Sequence, residues 1–359
     1  MMLKLKFENI YEKLKRDITA LPPYHRIPPV RDLMEQFSVS QYTIDKALKT
    51  LEEEGLIHKR VGRGIYTSGA NTKFEKLSVK RIVIAAPSYP SPMYDILLER
   101  LHTKISNEGN IPLIVRYNYR EMIDKWIPRD RFDGLILIPP GIRLGVEHIV
   151  KLHKLAVPVV ILGRMLGDLD IDCVDSDNVM CGALAANHLI ELGHRKLAVM
   201  LSEPHVRNQE IRINSFIRQA NLSGIDNVQI IDCKTQSGQS PCEKAYEHFS
   251  EIINKKGLHF TAIFVHGDFA ALGVLKACYD NGIKVPHQLS VIGFSNLPGS
   301  EFYCPSLTTI DQNYPKMADE ALNIITQRIF DNKDNQKRYI HKEIQPTLIK
   351  RESTKRNEK

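Results

Sequence analysis

Through the first fifty residues apolar positions recur with a helical period. Phe7, Ile10, Tyr11, Leu14 and Ile18 share one face, which predicts an amphipathic helix over 7–20, and Pro22-Pro23 stops it. After Pro28-Pro29 a short second helix turns Val30, Leu33, Met34 and Phe37 inward. Ser38-Val39-Ser40 makes a tight turn, with Ser40 as the expected N-cap of a third helix that buries Ile44, Ala47, Leu48 and Leu51. Gly55 ends it. Residues 56–60 and 64–67 then read as two short strands around Val61-Gly62-Arg63. Three helices followed by a basic hairpin predict a winged helix-turn-helix. One helix fits a major groove about 12 Å wide, and a glycine-tipped hairpin approaches the neighbouring backbone without a side-chain clash.

A polar segment over 71–80 separates this head, 1–70, from a body, 81–359, with a different pattern. There, apolar strand-type runs at 82–86, 111–115, 135–138, 159–162, 197–201, 262–265 and 290–294 alternate with helices at 94–107, 179–192, 207–220 and 268–280. Such alternation predicts an α/β fold with a doubly wound parallel sheet. Some 270 residues of it exceed a single core, so two lobes are expected.

Charge sharpens the division. Residues 1–80 hold 15 Lys and Arg against 10 Asp and Glu, +5 of the chain's net +7, a footprint that suits nucleic acid. No apolar run reaches the roughly 18 residues needed to span a bilayer, and the N-terminus lacks the pattern of a secretion signal. A cytoplasmic protein with no membrane partner is expected. The six cysteines show no C-x-x-C spacing, so neither a zinc site nor a redox dithiol is expected. There is no Walker A loop, no H-E-x-x-H and no G-x-S-x-G, hence no expected cofactor or catalysis. The one tempting cluster, His266-Gly267-Asp268, lies at a strand-to-helix junction where Asp268 reads as an N-cap.

The blocks Ile27-Pro28-Pro29-Val30-Arg31-Asp32-Leu33, Phe37 through Leu48, Leu51-Glu52-Glu53-Glu54-Gly55-Leu56-Ile57 and Gly62-Arg63-Gly64 resemble the GntR-type winged helix. In the body, Ala186 through Ala198, Asp268-Phe269-Ala270-Ala271-Leu272-Gly273, Val285-Pro286, Leu289 through Phe294, Pro305 through Ile310 and Arg351-Glu352-Ser353-Thr354 resemble the LacI/GalR-type effector domain, a periplasmic-binding-protein-like fold. A head and body of these types in this order resemble the arabinose-repressor layout. The resemblance implies a repressor, working as a homodimer on double-stranded operator DNA, whose affinity is set by a small-molecule effector: a sugar, a sugar phosphate or a sugar acid. A solute-binding protein of a transporter shares the body fold but needs no such head. A GntR head on an aminotransferase-like body needs a longer chain and a Schiff-base lysine.

On this reading Arg31 contacts phosphate, which sets register without reading sequence. Gln41, Tyr42, Thr43 and Lys46 form the exposed start of the recognition helix, and Gly62, Arg63 and Gly64 form the wing tip. Asp45 is expected to pair with Lys49 at i+4. In the body the expected effector contacts are Tyr94, Arg164 at the carboxyl end of a strand, Arg212, Ser295 and Tyr314. Two departures from the resemblance bear on the ligand. The usual Asn-Asp pair stands here as Gly267-Asp268, and the usual Asp-Asp as Ser295-Asn296. Arginines that lose such partners favour an anion, unless Asp172, Asp175 or Asp311 neutralises them and the ligand is uncharged.

Overall fold

The computed structural model describes residues 2–19, 21, 25–60, 64–68, 79–121, 123–128, 130–141, 144–166, 170–203, 206–330 and 338–358. The chain divides into two compact units, Met1–Ser78 and Val79–Lys359. Most of the expected 71–80 linker, with Gly62 and Arg63 of the wing tip, lies outside the described residues.

In the first unit helices α1 (Met2–Thr19), α2 (Val30–Phe37) and α3 (Gln41–Glu53) accompany a small antiparallel sheet of β1 (Arg26–Ile27), β2 (Ile57–Arg60) and β3 (Gly64–Thr67), in the order β1-β3-β2. The helical spacing puts Ile10, Leu14, Ile18, Leu33, Ile44, Leu48 and Leu51 into one core with Ile57. Ser38 closes α2 in the left-handed conformation, φ 52°, and its N–H donates to the carbonyls of Glu35 and Met34. Ser40 holds the N-cap position of α3 without a side-chain cap; its hydroxyl instead lies 3.1 Å from that of Thr43. Lys49 pairs with Glu53 at 3.9 Å rather than with the expected Asp45.

The second unit has two lobes. Lobe 1 is a wholly parallel sheet of β4 (Arg81–Pro87), β5 (Ile111–Tyr117), β6 (Gly134–Leu137), β7 (Val159–Leu162), β8 (Asp172–Ser176) and β14 (His341–Ile344), in the order β14-β8-β7-β6-β4-β5. Its helices are α4 (Pro92–Asn107), α5 (Val146–His153) and α10 (Tyr314–Phe330). Lobe 2 contains β9 (Leu197–Leu201), β10 (Val228–Asp232), β11 (Ala262–Val265), β12 (Ser290–Phe294), β13 (Thr308–Asp311) and β15 (Thr347–Ile349), in the order β10-β9-β11-β12-β13-β15; only β15 runs antiparallel. Its helices are α6 (Asn178–Glu191), α7 (Arg207–Leu222), α8 (Pro241–Lys256) and α9 (Asp268–Asp280). The chain crosses between lobes after β8, after β13 and between β14 and β15. Two crossings are tied: Asp177 N–H donates to Ile344 O at 3.0 Å, and Gln345 Nε2 to Asp177 Oδ2 at 3.2 Å.

Two helix pairs in lobe 2 meet backbone to backbone. A β-carbon on Gly182 of α6 would lie 2.1 Å from Arg212 O in α7, and one on Gly273 of α9 would lie 2.1 Å from Cys242 O in α8. Only hydrogen at these two positions permits the packing, and the first seats the backbone of Arg212.

The C-terminal segment is pinned onto lobe 2. Ser353 Oγ donates to Val291 O at 2.5 Å, and His188 Nε2 lies 2.9 Å from Thr354 Oγ1. Burial, then Lys350 and His194 nearby, pushes the His188 imidazole down to about 4, against about 6.5 in an unfolded chain. Between these values the unfolded chain takes up a proton that the folded one refuses, so stability falls as pH falls. From pH 7 to pH 5 the wild type is therefore expected to lose about 1–2 kcal/mol more than His188→Gln. Urea midpoints of the full chain at the two pH values measure this, and equal losses in both proteins refute a neutral, buried His188.

Candidate functional site

Two surfaces carry chemistry. In the head, α3 begins immediately after the turn, so its first residues stand clear of the core. Gln41, Tyr42 and Lys46 are exposed, Tyr42 by 76%, and Thr43 is half-buried. Arg31, in the first turn of α2, has an 88% exposed side chain with Glu35 Oε1 3.9 Å from Nε, a loose surface pair. Gly64 opens β3 at φ 113°, and a β-carbon there would meet Arg26 Nε at 3.2 Å. Arg26 is thus a basic side chain beside the wing that sequence reading missed. Lys59 of β2 reaches Glu52 of α3 at 3.2 Å.

In the body a cleft of about 620 Å³ opens between the lobes at the carboxyl ends of their parallel strands, where open α/β sheets place ligands. All five expected contacts line it. Tyr94 lies in α4 with its ring in the lobe 1 core, and its hydroxyl meets that of Tyr89 at 2.7 Å. Tyr89, half-buried on the same wall, was not foreseen. Arg164 follows β7, and its Nη2 donates to Pro140 O at 2.9 Å. Ser295, at φ 118°, accepts from Tyr314 Oη at 2.9 Å and from Gln312 Nε2 at 3.1 Å. These last two contacts largely satisfy each other, so they shape the cleft floor.

Arg212 differs. It is buried on α7 with its guanidinium over the Phe294 ring, 3.7 Å from the centre. Among the described residues it makes no hydrogen bond and no ion pair, and its Nε is buried without a partner. Buried polar atoms are normally satisfied, yet other orphans stand along the same cleft: Asn208 Oδ1 and both ring nitrogens of His266. Burial pushes the His266 imidazole well down, helped by Arg212, which keeps the ring neutral.

Carboxylates compensate the arginines. Asp175 Oδ2, at the end of β8, accepts from Asn208 Nδ2 at 2.7 Å and Asn178 Nδ2 at 2.8 Å. Burial pushes its carboxyl up to about 6 against the pull of the Ser176 backbone, Arg212 and Asn178. Of the other two expected neutralisers, Asp172 pairs with Arg328 away from the cleft, and Asp311 accepts from Asn296. Glu203, on the lobe 2 wall, was not foreseen; enclosure raises its carboxyl and Arg212 lowers it. Asp268 is not the N-cap of α9. Gly267 holds that position, and the Asp268 carboxylate accepts from Leu297 N at 2.7 Å and Thr309 Oγ1 at 2.6 Å, lashing α9 to β13. The cleft mouth is bridged where Tyr119 of lobe 1 donates to Ser237 O at 2.8 Å and Ser237 Oγ donates to Gly141 O at 3.2 Å.

A helix-turn-helix head followed by a two-lobed receptor with orphaned polar groups in its cleft defines the class: a DNA-binding protein that answers to a small molecule. Residues 6–67 match the profile of bacterial regulatory proteins of the gntR family, and residues 186–354 that of the periplasmic binding protein-like domain. The arabinose metabolism transcriptional repressor of Geobacillus stearothermophilus is 25% identical over 366 residues, covering 96% of this chain and 97% of that one. An HTH-type transcriptional repressor PurR of Haemophilus influenzae is 32% identical over 241 residues, covering 66% of this chain and 68% of the relative. The solved structure of a LacI family transcriptional regulator from Enterococcus faecium with bound ribose superposes with a TM-score of 0.66 at 23% identity, covering 78% of this chain and all of that one. The chain belongs to the HTH-type transcriptional repressors with a periplasmic-binding-protein-like body of the LacI/GalR type, and its head is of the GntR type. It is a ligand-responsive transcriptional repressor rather than a transporter's binding protein. Among the described residues no helix is long and apolar enough to cross a membrane.

Proposed function

We propose that this repressor is controlled by a sugar or sugar derivative held between the lobes, and that it acts in the cytoplasm as a homodimer without catalysing a reaction. The orphaned guanidinium of Arg212 carries this reading. A planar fork of donors in an enclosed cleft, with no hydrogen-bond acceptor among the described residues, suits the oxygens of a hydroxylated ligand. A volume of about 620 Å³ falls among small-molecule sites, roughly 300–1,000 Å³. The relatives include an arabinose metabolism repressor. In the head, Gln41, Tyr42, Thr43 and Lys46 enter the major groove, Arg31 holds phosphate, and Gly62, Arg63 and Gly64 follow the backbone. Two copies place two α3 helices one turn of DNA apart, about 34 Å. Closing the lobes on the ligand shifts that spacing.

The test is a fluorescence-anisotropy titration of the full chain on upstream DNA, with arabinose, ribose, glucose and their phosphates as candidate effectors. One of them is expected to change operator affinity about 5–150-fold, the usual range of allosteric coupling. If none does, while a nucleoside or another non-sugar does, the sugar reading is wrong.

A further inference from the structure

The cleft contains a carboxylate whose position is explained by a missing side chain. Gly267 has φ 131°, a conformation that L side chains rarely adopt. A β-carbon there would stand 3.3 Å from Glu203 Oε1 and 4.0 Å from Ser202 Oγ. The carboxylate of Glu203 therefore borders the space that a side chain at 267 would fill. Among the described residues that carboxylate accepts no hydrogen bond, so the fold does not use it. Its neighbours on the wall are Arg212 and His266, both more than nine-tenths buried and both with orphaned nitrogens. An ionised carboxylate only accepts, a guanidinium only donates, and a neutral imidazole does one of each. Three unclaimed groups with these complementary demands match hydroxyl groups, each of which donates once and accepts twice.

We infer that Glu203 is the residue that sets effector specificity, selecting a neutral, hydroxyl-rich molecule, one of whose hydroxyls donates to it, and turning away phosphorylated and carboxylated sugars. This rests on the sugar reading above. Charge supports it: the cleft lining holds two guanidinium groups, Arg164 and Arg212, and four carboxylates, Asp95, Asp175, Glu203 and Asp268. Asp95 pairs with Arg116, and Asp268 accepts from Leu297 N and Thr309 Oγ1, which leaves Asp175 and Glu203 to offset the two arginines before any ligand enters. An anion adds uncompensated negative charge in a low-dielectric enclosure, where repulsion is strong. The absence of an amide or carboxylate at position 267 therefore does not leave Arg212 without a counter-charge; the carboxylate is supplied from the next loop.

Calorimetry on the full-length wild type and Glu203→Gln tests this, with arabinose, ribose and glucose each against its own phosphate. The variant keeps size and shape and removes the charge. No described residue hydrogen-bonds the carboxylate, so Glu203→Gln is expected to fold, and its melting is measured alongside to separate a loss of stability from a change of specificity. The wild type is expected to prefer the neutral member. In Glu203→Gln the neutral sugar is expected to weaken about 10-fold, the scale of a lost charged hydrogen bond, while the phosphate tightens and the preference narrows or inverts. The same neutral-to-phosphate ratio in both proteins, or a wild type that prefers the phosphate, overturns the role of Glu203 and leaves the sugar reading standing. A wild type that binds none of the six overturns the sugar reading itself, and this inference with it.

Discussion

Arg328→Ala is expected to destabilise the body by about 3–5 kcal/mol, the largest single-residue effect away from the cleft. Arg328 ends α10 with a bidentate grip on Asp172 of β8, Nε to Oδ2 at 2.8 Å and Nη2 to Oδ1 at 2.9 Å; both residues are under a tenth exposed. Nη2 also donates to Arg338 O at 2.7 Å, and Asp172 Oδ1 accepts from Ile340 N at 2.7 Å. The pair thus fixes the segment leading into β14 as well as the helix that roofs lobe 1. Truncating the arginine strands a carboxylate in the interior and frees the backbone groups it organised. Scanning calorimetry of the full chain should show the body transition about 10 °C lower. Replacing the pair together, with Arg328→Met and Asp172→Leu, should recover much of the loss, since the cost lies in the unpaired charge rather than in the absence of an ion pair. A shift below about 2 °C for Arg328→Ala would mean that water reaches Asp172.

Arg212→Ala is expected to give a repressor that still binds its operator but no longer responds to the effector. The side chain lies in the cleft of the body over the Phe294 ring, so DNA affinity without ligand should match the wild type. Losing two or more charge-assisted donors should weaken effector binding about 10–100-fold, or further if the ligand uses the fork bidentately. Arg212→Lys should fail too, because an ammonium reproduces neither the fork nor the stacking on Phe294. Effector Kd by calorimetry and operator affinity by anisotropy separate the outcomes. Equal loss of DNA binding and effector binding would assign Arg212 to the scaffold.

Much of this was legible in the chain, for reasons that differ by residue. The head and the long strands follow from apolar period, which is a property of the core and so survives in sequence. Arg212 and Arg164 stood out because the resemblance implies an effector contact at one and the other lies at a strand's carboxyl end. Asp175 was named only as a possible neutraliser, and its strand went unread: β8 is fully buried but carries Asp172, Asp175 and Ser176, which break the apolar run because they serve an ion pair and the cleft. Glu203 and Tyr89 follow strand ends in segments with no period, where only three-dimensional proximity gives them a role. Helices α8 and α10 show regular apolar spacing, at Ala245 and Phe249 and at Met317, Ala318, Ala321, Leu322 and Ile325, and were passed over although the signal was present. The sequence left open whether the arginines have counter-charges, because charge balance is set by groups adjacent in space rather than in sequence; Asp175 and Glu203 both interact with Arg212.

The interleaving of the lobes bears on how the protein is made. Lobe 1 begins at β4, yet its core needs Met317, Ala318, Ala321, Leu322 and Ile325 from α10, and its sheet is closed by β14. All of lobe 2 up to β13 is synthesised in between. At a ribosomal elongation rate of about 5–20 residues per second, the first strands of lobe 1 wait at least ten seconds for their roof. Throughout that interval the head, whose described apolar core and sheet draw on residues within 10–67, can already be complete. Nascent chains of this repressor therefore spend time with a finished DNA reader and an unfinished receptor. During that window the exposed apolar faces of β4, β6 and β7 are natural clients for a chaperone.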